Sequence, residues 1–327
     1  MRTEILIVGQ GLAGTVLAWE LERAGFPCVI ADAGHDTAAS RVAAGVVNPI
    51  TGARIVKSWR VDALMPAARE TYHAIEQELR VPLWREVRVR RLYLDDRERR
   101  VLGEKQSRGE LGDYIGAADS DGFWIEGAGQ LDVPMLLVAA RARWQAAGVL
   151  RAERVDFAQA LLEHELVIDC TGAAGGPFDF VPWAFSKGQI LNLAMAGLAP
   201  DVVLNRGHWL LPCGDGTAKA GATHEPARRD TAPTPEAREQ LAASVTGMCE
   251  RPFTVTSHDA GVRSYVADKR PVAGRHPGNP RLGVLNGLGA KGASFAPMLA
   301  RQWVRHLAES APFDRDVDVG RFWRGQA

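Results

Sequence analysis

Gly9, Gly11 and Gly14 stand at G-x-G-x-x-G spacing, directly after the apolar run ILIV and just before a helical repeat. The first glycine permits a tight turn and the second lets backbone approach a pyrophosphate. The third lets the helix pack closely on the strand. Residues 4–8 read as a buried parallel strand, and 28–31 as a second one. Between them residues 15–24 repeat apolar positions (Val16, Leu17, Leu21, Ala24) at helical spacing, and Gly25 stops the helix. Asp32 ends the second strand where a carboxylate can take ribose hydroxyls. Strand, glycine turn, helix, strand and terminal acid in that order predict a dinucleotide-binding unit.

A second glycine-rich turn, with Gly287, Gly289 and Gly292, lies near the other end of the chain. It falls between a strand expected over 281–285 and a helix expected over 294–307. Both turns stand at a helix N-terminus, where backbone N–H groups and the dipole favour anions. The small-residue stretch 38–45, with Ser40 and Arg41, suits a backbone lying against a ligand, or a surface loop. Arg54, Lys57 and Arg60 beside Trp59 form either an anion pocket or a solvated face.

The elements that would position these residues follow from periodicity. Residues 62–79 read as a helix. Residues 84–95 alternate as an antiparallel strand with one wet face, with a break near Arg90 and Arg91. Their arginines, followed at once by Asp95, Asp96 and Glu98, read as a solvated strand edge. Residues 122–132 are a further strand, and Asp132 with Pro134 starts a helix that ends at Gly148. Residues 166–172 return to the parallel sheet. From 183 to 261 the pattern changes to short strands and turns, including a hairpin of 208–212 with 218–223, a helix within 228–249 and a strand over 253–260.

At 327 residues the chain predicts two domains or one elaborated α/β unit. Lys plus Arg and Asp plus Glu both number 39, a balance that argues against general attraction to nucleic acid or anionic membrane. Cys28, Cys170, Cys213 and Cys249 show no metal spacing and no C-x-x-C pair. No apolar stretch is long enough to span a bilayer, and the first strand begins almost at Met1. A cytoplasmic protein without membrane or nucleic-acid partners is the expectation.

Taken in order, VGQGLAG with Asp32, SRVAAG at 40–45, LDVP at 131–134, DCTGA at 169–173 and KGQI at 187–190 form a set. WLLP with GATHE, GVRSYVADKRPVAG at 261–274 and GLGAKGASFAP at 287–297 complete it. Over nearly its full length the chain resembles the FAD-dependent amine oxidoreductases of the D-amino-acid oxidase, glycine oxidase and sarcosine oxidase type. The resemblance implies an α/β + β fold: a Rossmann-like FAD-binding domain built from discontinuous segments, with a mainly antiparallel substrate-binding domain. Residues 1–80, 130–182 and 262–327 would form the first, and 81–129 with 183–261 the second.

It further implies that FAD is held by Gly9, Gly11, Leu12, Ala13, Gly14 and Asp32, and by Ser40, Arg41, Ala43, Ala44 and Gly45. Val155, Thr171 and Gly172 would add contacts, as would Gly287, Gly289, Ala290, Lys291, Gly292, Ala293 and Ser294. No cysteine matches a covalent flavin attachment, so FAD is expected to be non-covalent. Reduced flavin gathers negative charge near N1 and its C2 carbonyl, which a helix N-terminus supports; Lys291 adds a charge there or reaches into solvent. Arg263 matches the arginine that pairs with a substrate carboxylate, its alternative being a structural ion pair. Ser264 replaces the usual proline after it. Tyr265, Trp209 and His208 would line the substrate pocket, though Trp209 also suits core packing and His208 a structural hydrogen bond. Arg54 and Lys57 depart from better-known members and imply a substrate more acidic or larger than glycine or sarcosine. The implied reaction oxidises a C–N bond of an amino acid or secondary amine by hydride transfer to flavin N5, the imine then hydrolysing. The electron acceptor, oxygen or another, is left open. The alternatives are a tRNA-modification oxidase and a non-catalytic FAD-binding protein.

Overall fold

The computed structural model describes residues 5–34 and 38–324; Glu4, the expected first residue of the opening strand, lies outside them. Two large sheets organise the chain. The first has six strands in the order Val272–His276, Asn279–Asn286, Leu166–Asp169, Ile5–Val8, Cys28–Ala31 and Leu150–Arg151. Its pairings are parallel except that between the first two strands. Ile5–Val8 is buried at every position, as a strand covered on both faces must be. Helices Leu12–Arg23, Val61–Leu79 and Gly292–Glu309 pack with it into the largest apolar core, which holds Trp19, Tyr72, Trp144 and Trp303.

The second sheet has ten strands and is antiparallel apart from one parallel pairing, Val202–Arg206 on Trp84–Leu92. Its longest contact joins Trp183–Ala194 to Thr254–Val266. From Trp183–Ala194 the sheet continues through Thr217–Gly221, His208–Gly214, Val202–Arg206 and Trp84–Leu92 to Gly122–Leu131. Val46–Val47, Leu131 and the end of the Thr254–Val266 strand belong to this sheet, although they fall in segments expected for the cofactor domain.

Several local expectations need correction. The strand expected over 84–95 ends at Leu92, and its register shift lies between Val87 and Val89, before Arg90. Asp95 instead caps a helix, Asp96–Ser107, its carboxylate accepting from the Glu98 amide at 2.9 Å. The sequence DDRE is a capping pattern, with an N-cap acid and a glutamate three residues on. Arg91 is not on a solvated edge: it is 7% exposed and paired at 2.6 Å with Glu98, itself 4% exposed. The strand expected over 253–260 runs on to Val266 and so carries Arg263.

The close approach that the third glycine permits is measurable. A Cβ on Gly14 would fall 1.9 Å from the Gly9 carbonyl oxygen, a backbone atom that cannot yield. Gly14→Ala is expected to destabilise by about 1–3 kcal/mol through overpacking and to lose bound cofactor. Gly103→Ala, on an exposed helical turn with nothing within 4 Å, is expected to hold or raise stability by up to about 1 kcal/mol. Thermal unfolding midpoints of the two variants check this, and equal midpoints would refute the packing assignment.

Candidate active site

The two glycine turns meet. Helix Leu12–Arg23 starts at Gly11 and helix Gly292–Glu309 at Lys291; neither N-cap makes a side-chain cap and neither first turn holds an acid. Both helix starts thus keep their partial positive charge open to an anion. A Cβ on Gly292 would stand 3.0 Å from Leu12 Cδ2, so the starts touch. The Leu12 amide donates to Ser40 Oγ at 3.1 Å, bringing the small-residue stretch against the first turn. Tyr72, fully buried, donates its hydroxyl to the Ala293 carbonyl at 2.8 Å and fixes the second helix start.

Asp32 is buried at the end of the Cys28–Ala31 strand. Its Oδ2 accepts from the Gln10 amide at 2.8 Å, and its Oδ1 from the Gly34 amide and from Arg141 Nη1, both at 3.0 Å. Arg141 also donates to Gln10 Oε1 at 2.8 Å. Val155 packs against the apolar cluster of Leu6, Val8 and Ala31 beneath this corner. Thr171 N and Oγ1 both donate to Asp169 Oδ1, at 2.9 and 2.7 Å, which curls the turn after the Leu166–Asp169 strand. The Gly172 carbonyl accepts from Asn286 Nδ2 at 3.0 Å.

A cavity of about 650 Å³ lies between the sheets. Leu12, Ser40, Ala43, Ala44 and Gly45 line one side, and Gly289, Ala290, Lys291, Gly292, Ala293 and Ser294 continue it. Small residues and two uncapped helix starts on this surface fit an anionic dinucleotide. The expected FAD contacts Gly9, Gly11, Ala13, Gly14, Asp32, Val155, Thr171, Gly172 and Gly287 do not line this cavity, and Arg41 is exposed outside it.

Arg263 lines the cavity. Its Nη2 donates to the Thr223 carbonyl at 3.0 Å, burial makes its charge costly, and no carboxylate is among the groups acting on it. Among the described residues the structural ion pair is therefore not found. The guanidinium lies across Gly188, where a Cβ would fall 1.5 Å from Nη2. Lys291 also faces the cavity, 3.4 Å from Ser58 Oγ; burial, then the Arg270 charge, lowers its pKa. Trp209 lines the opposite wall.

Other expected substrate contacts are not brought in. Arg54 is exposed and outside the lining, and Lys57 is held at 2.7 Å by Asp62. Position near the pocket in sequence did not fix where these loop side chains point, so they supply no evidence for an acidic substrate. His208 is bonded to Ser244 Oγ at 3.1 Å, burial lowers its pKa, and it does not line the cavity. Tyr265 bridges to Leu288 behind the glycine turn. Sequence reasoning missed Asn286, Arg141 and the Arg91–Glu98 pair; only the last had a local signal, the capping pattern at Asp95.

Comparison with known proteins agrees with this geometry. The family model described as FAD dependent oxidoreductase, DAO, matches residues 4–306. The chain is 30% identical to a tRNA 5-methylaminomethyl-2-thiouridine biosynthesis bifunctional protein of Maricaulis maris, over 94% of this chain but 52% of that protein. It thus spans about half the length of that relative, and 59% of the matching protein of Marinobacter nauticus. It is 26% identical to a glycine oxidase of Pseudomonas aeruginosa, over 92% of this chain and 93% of that one. The crystal structure of glycine oxidase from Geobacillus kaustophilus superposes with a TM-score of 0.79 at 21% identity, covering 99% of both chains. That of iminodiacetate oxidase from Chelativorans sp. gives 0.75 at 21% identity, covering 96% of this chain and 98% of that one. Among the described residues no helix is long and apolar enough to cross a membrane, and no group of acids, histidines and cysteines is arranged to hold a metal. The chain belongs to the DAO family of FAD-dependent oxidoreductases.

Proposed function

We propose that this protein oxidises the C–N bond of an amino acid or secondary amine that carries a carboxylate. The observation that carries the reading is Arg263: a partly buried guanidinium, with no carboxylate paired to it among the described residues, facing a cavity whose other wall fits FAD. A guanidinium makes two parallel hydrogen bonds to a carboxylate and so fixes the α-carbon. Gly188 gives it room and the Thr223 carbonyl holds its orientation. Bound FAD supplies the acceptor for the hydride that leaves the α-carbon. The amine lone pair closes the C=N bond, its proton leaves to solvent, and water splits the imine. Lys291 and the Gly292–Glu309 helix start hold positive potential on the glycine-turn side of the cavity. Little proton transfer is asked of the protein; orientation and electrostatics carry the rate.

A second reading, oxidation of a modified nucleoside in tRNA, draws on the Maricaulis and Marinobacter relatives. The exposed guanidinium of Arg88 over the Trp124 ring, at 4.7 Å, supplies a basic-aromatic contact for it, whereas Arg90 is paired with Asp119. Anaerobic mixing of the FAD-loaded protein with D- and L-amino acids, N-methyl amino acids, imino acids and bulk tRNA separates the readings. Bleaching of the flavin by a carboxylate-bearing amine supports the first, and bleaching by tRNA alone replaces it with the second. FAD bound without bleaching by any of them moves the protein to a binding role.

Two further outcomes are expected. Gly188→Ala pushes Arg263 aside, so carboxylate ligands should weaken by roughly tenfold to a hundredfold, the loss of a charged hydrogen-bonded contact, while FAD stays bound. Titration of the flavin absorbance checks this, and unchanged affinity would refute the role of Arg263. None of the cysteines lines the cavity. Acid precipitation should therefore release all the flavin into the supernatant; yellow protein in the pellet would contradict non-covalent binding.

A further inference from the structure

Opposite Arg263 the cavity wall belongs to other strands of the ten-stranded sheet. Arg263 is on Thr254–Val266, and Arg91 on Trp84–Leu92, with four strands between them. Arg91 and Glu98 both line the cavity there while each is less than a tenth exposed. The charge of Arg91 is already answered: Nη2 donates to Glu98 Oε1 at 2.6 Å and Nη1 to the Gly52 carbonyl at 3.1 Å. Glu98 is held in turn, its Oε2 accepting from the Leu94 amide at 3.2 Å and its own amide bound by the Asp95 cap. Ile50, Val89, Leu94 and Val203 line the cavity beside this pair, with the polar Thr51 and Asn205 among them. Lys57 is bound to Asp62 and Arg54 points away, so neither adds a cation to this side.

We infer that Glu98 is a specificity-determining residue: by neutralising Arg91 it fits the cavity to substrates with one carboxylate and an extended uncharged substituent, and against dicarboxylates. This rests on the proposed amine oxidation at Arg263. The single carboxylate goes to Arg263. A second carboxylate, carried to the far wall, loses its hydration and meets a guanidinium already ion-paired to a carboxylate of like charge. An uncharged chain or ring meets Ile50, Val89 and Val203 and gains by burial.

The test uses the FAD-loaded protein and two readouts. The first is binding without turnover: 4-phenylbutyrate and glutarate are titrated against the flavin absorbance. The monocarboxylate is expected to bind at least about tenfold more tightly. The second is anaerobic flavin reduction by N-benzylglycine and by iminodiacetate, with the same order expected. Glu98→Gln leaves Arg91 charged in the wall, and should shift both preferences toward the dicarboxylate by about tenfold. Equal or tighter binding of glutarate to the unaltered protein overturns the inference. So does a Glu98→Gln variant that binds FAD yet keeps the original preference. Where Glu98→Gln does not hold FAD, the order in the unaltered protein decides. If monocarboxylates bind as expected but no amine reduces the flavin, the proposed reaction falls while the charge assignment of the wall stands.

Discussion

One side-chain amide ties the three segments of the site together. Asn286, 4% exposed at the end of its strand, accepts at Oδ1 from Ser264 Oγ at 2.8 Å and from the Gly287 amide at 2.7 Å. Its Nδ2 donates to the Gly172 carbonyl at 3.0 Å. The Arg263 strand, the second glycine turn and the turn after Asp169 are thereby held to one point. Each such bond contributes only about 1 kcal/mol net, but a buried partner left unpaired costs more than that. The three therefore form or fail together. Ser264 explains itself in this setting. The serine hydroxyl is a donor to Asn286 that the proline expected at this place lacks, and the Gly289 amide returns a bond to the Ser264 carbonyl at 2.9 Å.

The tripeptide Lys187-Gly188-Gln189 carries the other half of the frame. Side chains on a strand alternate between faces. Gly188 lies toward the cavity and is bare so that Arg263 can cross it. Its neighbours anchor the segment that leads to Arg263's acceptor. Lys187, fully buried, reaches Asp230 at 2.5 Å; hydrogen bonds from Arg228 first, then Lys187, hold that carboxyl well below its ordinary range. Gln189 bonds Glu225 at 2.7 Å through Nε2, and its amide donates to Thr223 Oγ1 at 3.0 Å. The Thr223 carbonyl that orients Arg263 is thus itself held from behind. A polar network of this kind gives a fixed orientation only because its members are satisfied.

The cofactor half was legible because its signals are local. The glycine spacing, the β-branched run before it and the acid after the second strand fall within residues 4–32, and a helix period spans only a few residues. The paired glycine turns were visible too, though that they touch at Leu12 and Gly292 was not. What the sequence hid depends on partners far along the chain. Arg141 reaches Gln10 across 131 positions, and Asn286 reaches Gly172 across 114. Periodicity carries no information about such pairs. Arg54 shows the opposite failure: a charged residue close to the pocket in sequence is turned to solvent by its loop. Arg91 shows how a strand's wet face is decided by what covers it, since helix Asp96–Ser107 brings Glu98 over it.

These pieces distribute charge unevenly across one cavity. Arg263, Lys291 and two helix starts bring positive potential to one end of the cavity, while the far wall pairs its own guanidinium with a carboxylate. An entering anion therefore has one favourable end, which fixes its direction before any close contact forms. Burial first, and then the charge of Arg270, lowers the pKa of Lys291. By linkage, an anion bound beside it raises that pKa again, and protonated Lys291 in return binds the anion more tightly. The cost of keeping Lys291 charged beside Arg270 is thereby offset whenever a negatively charged ligand binds next to it.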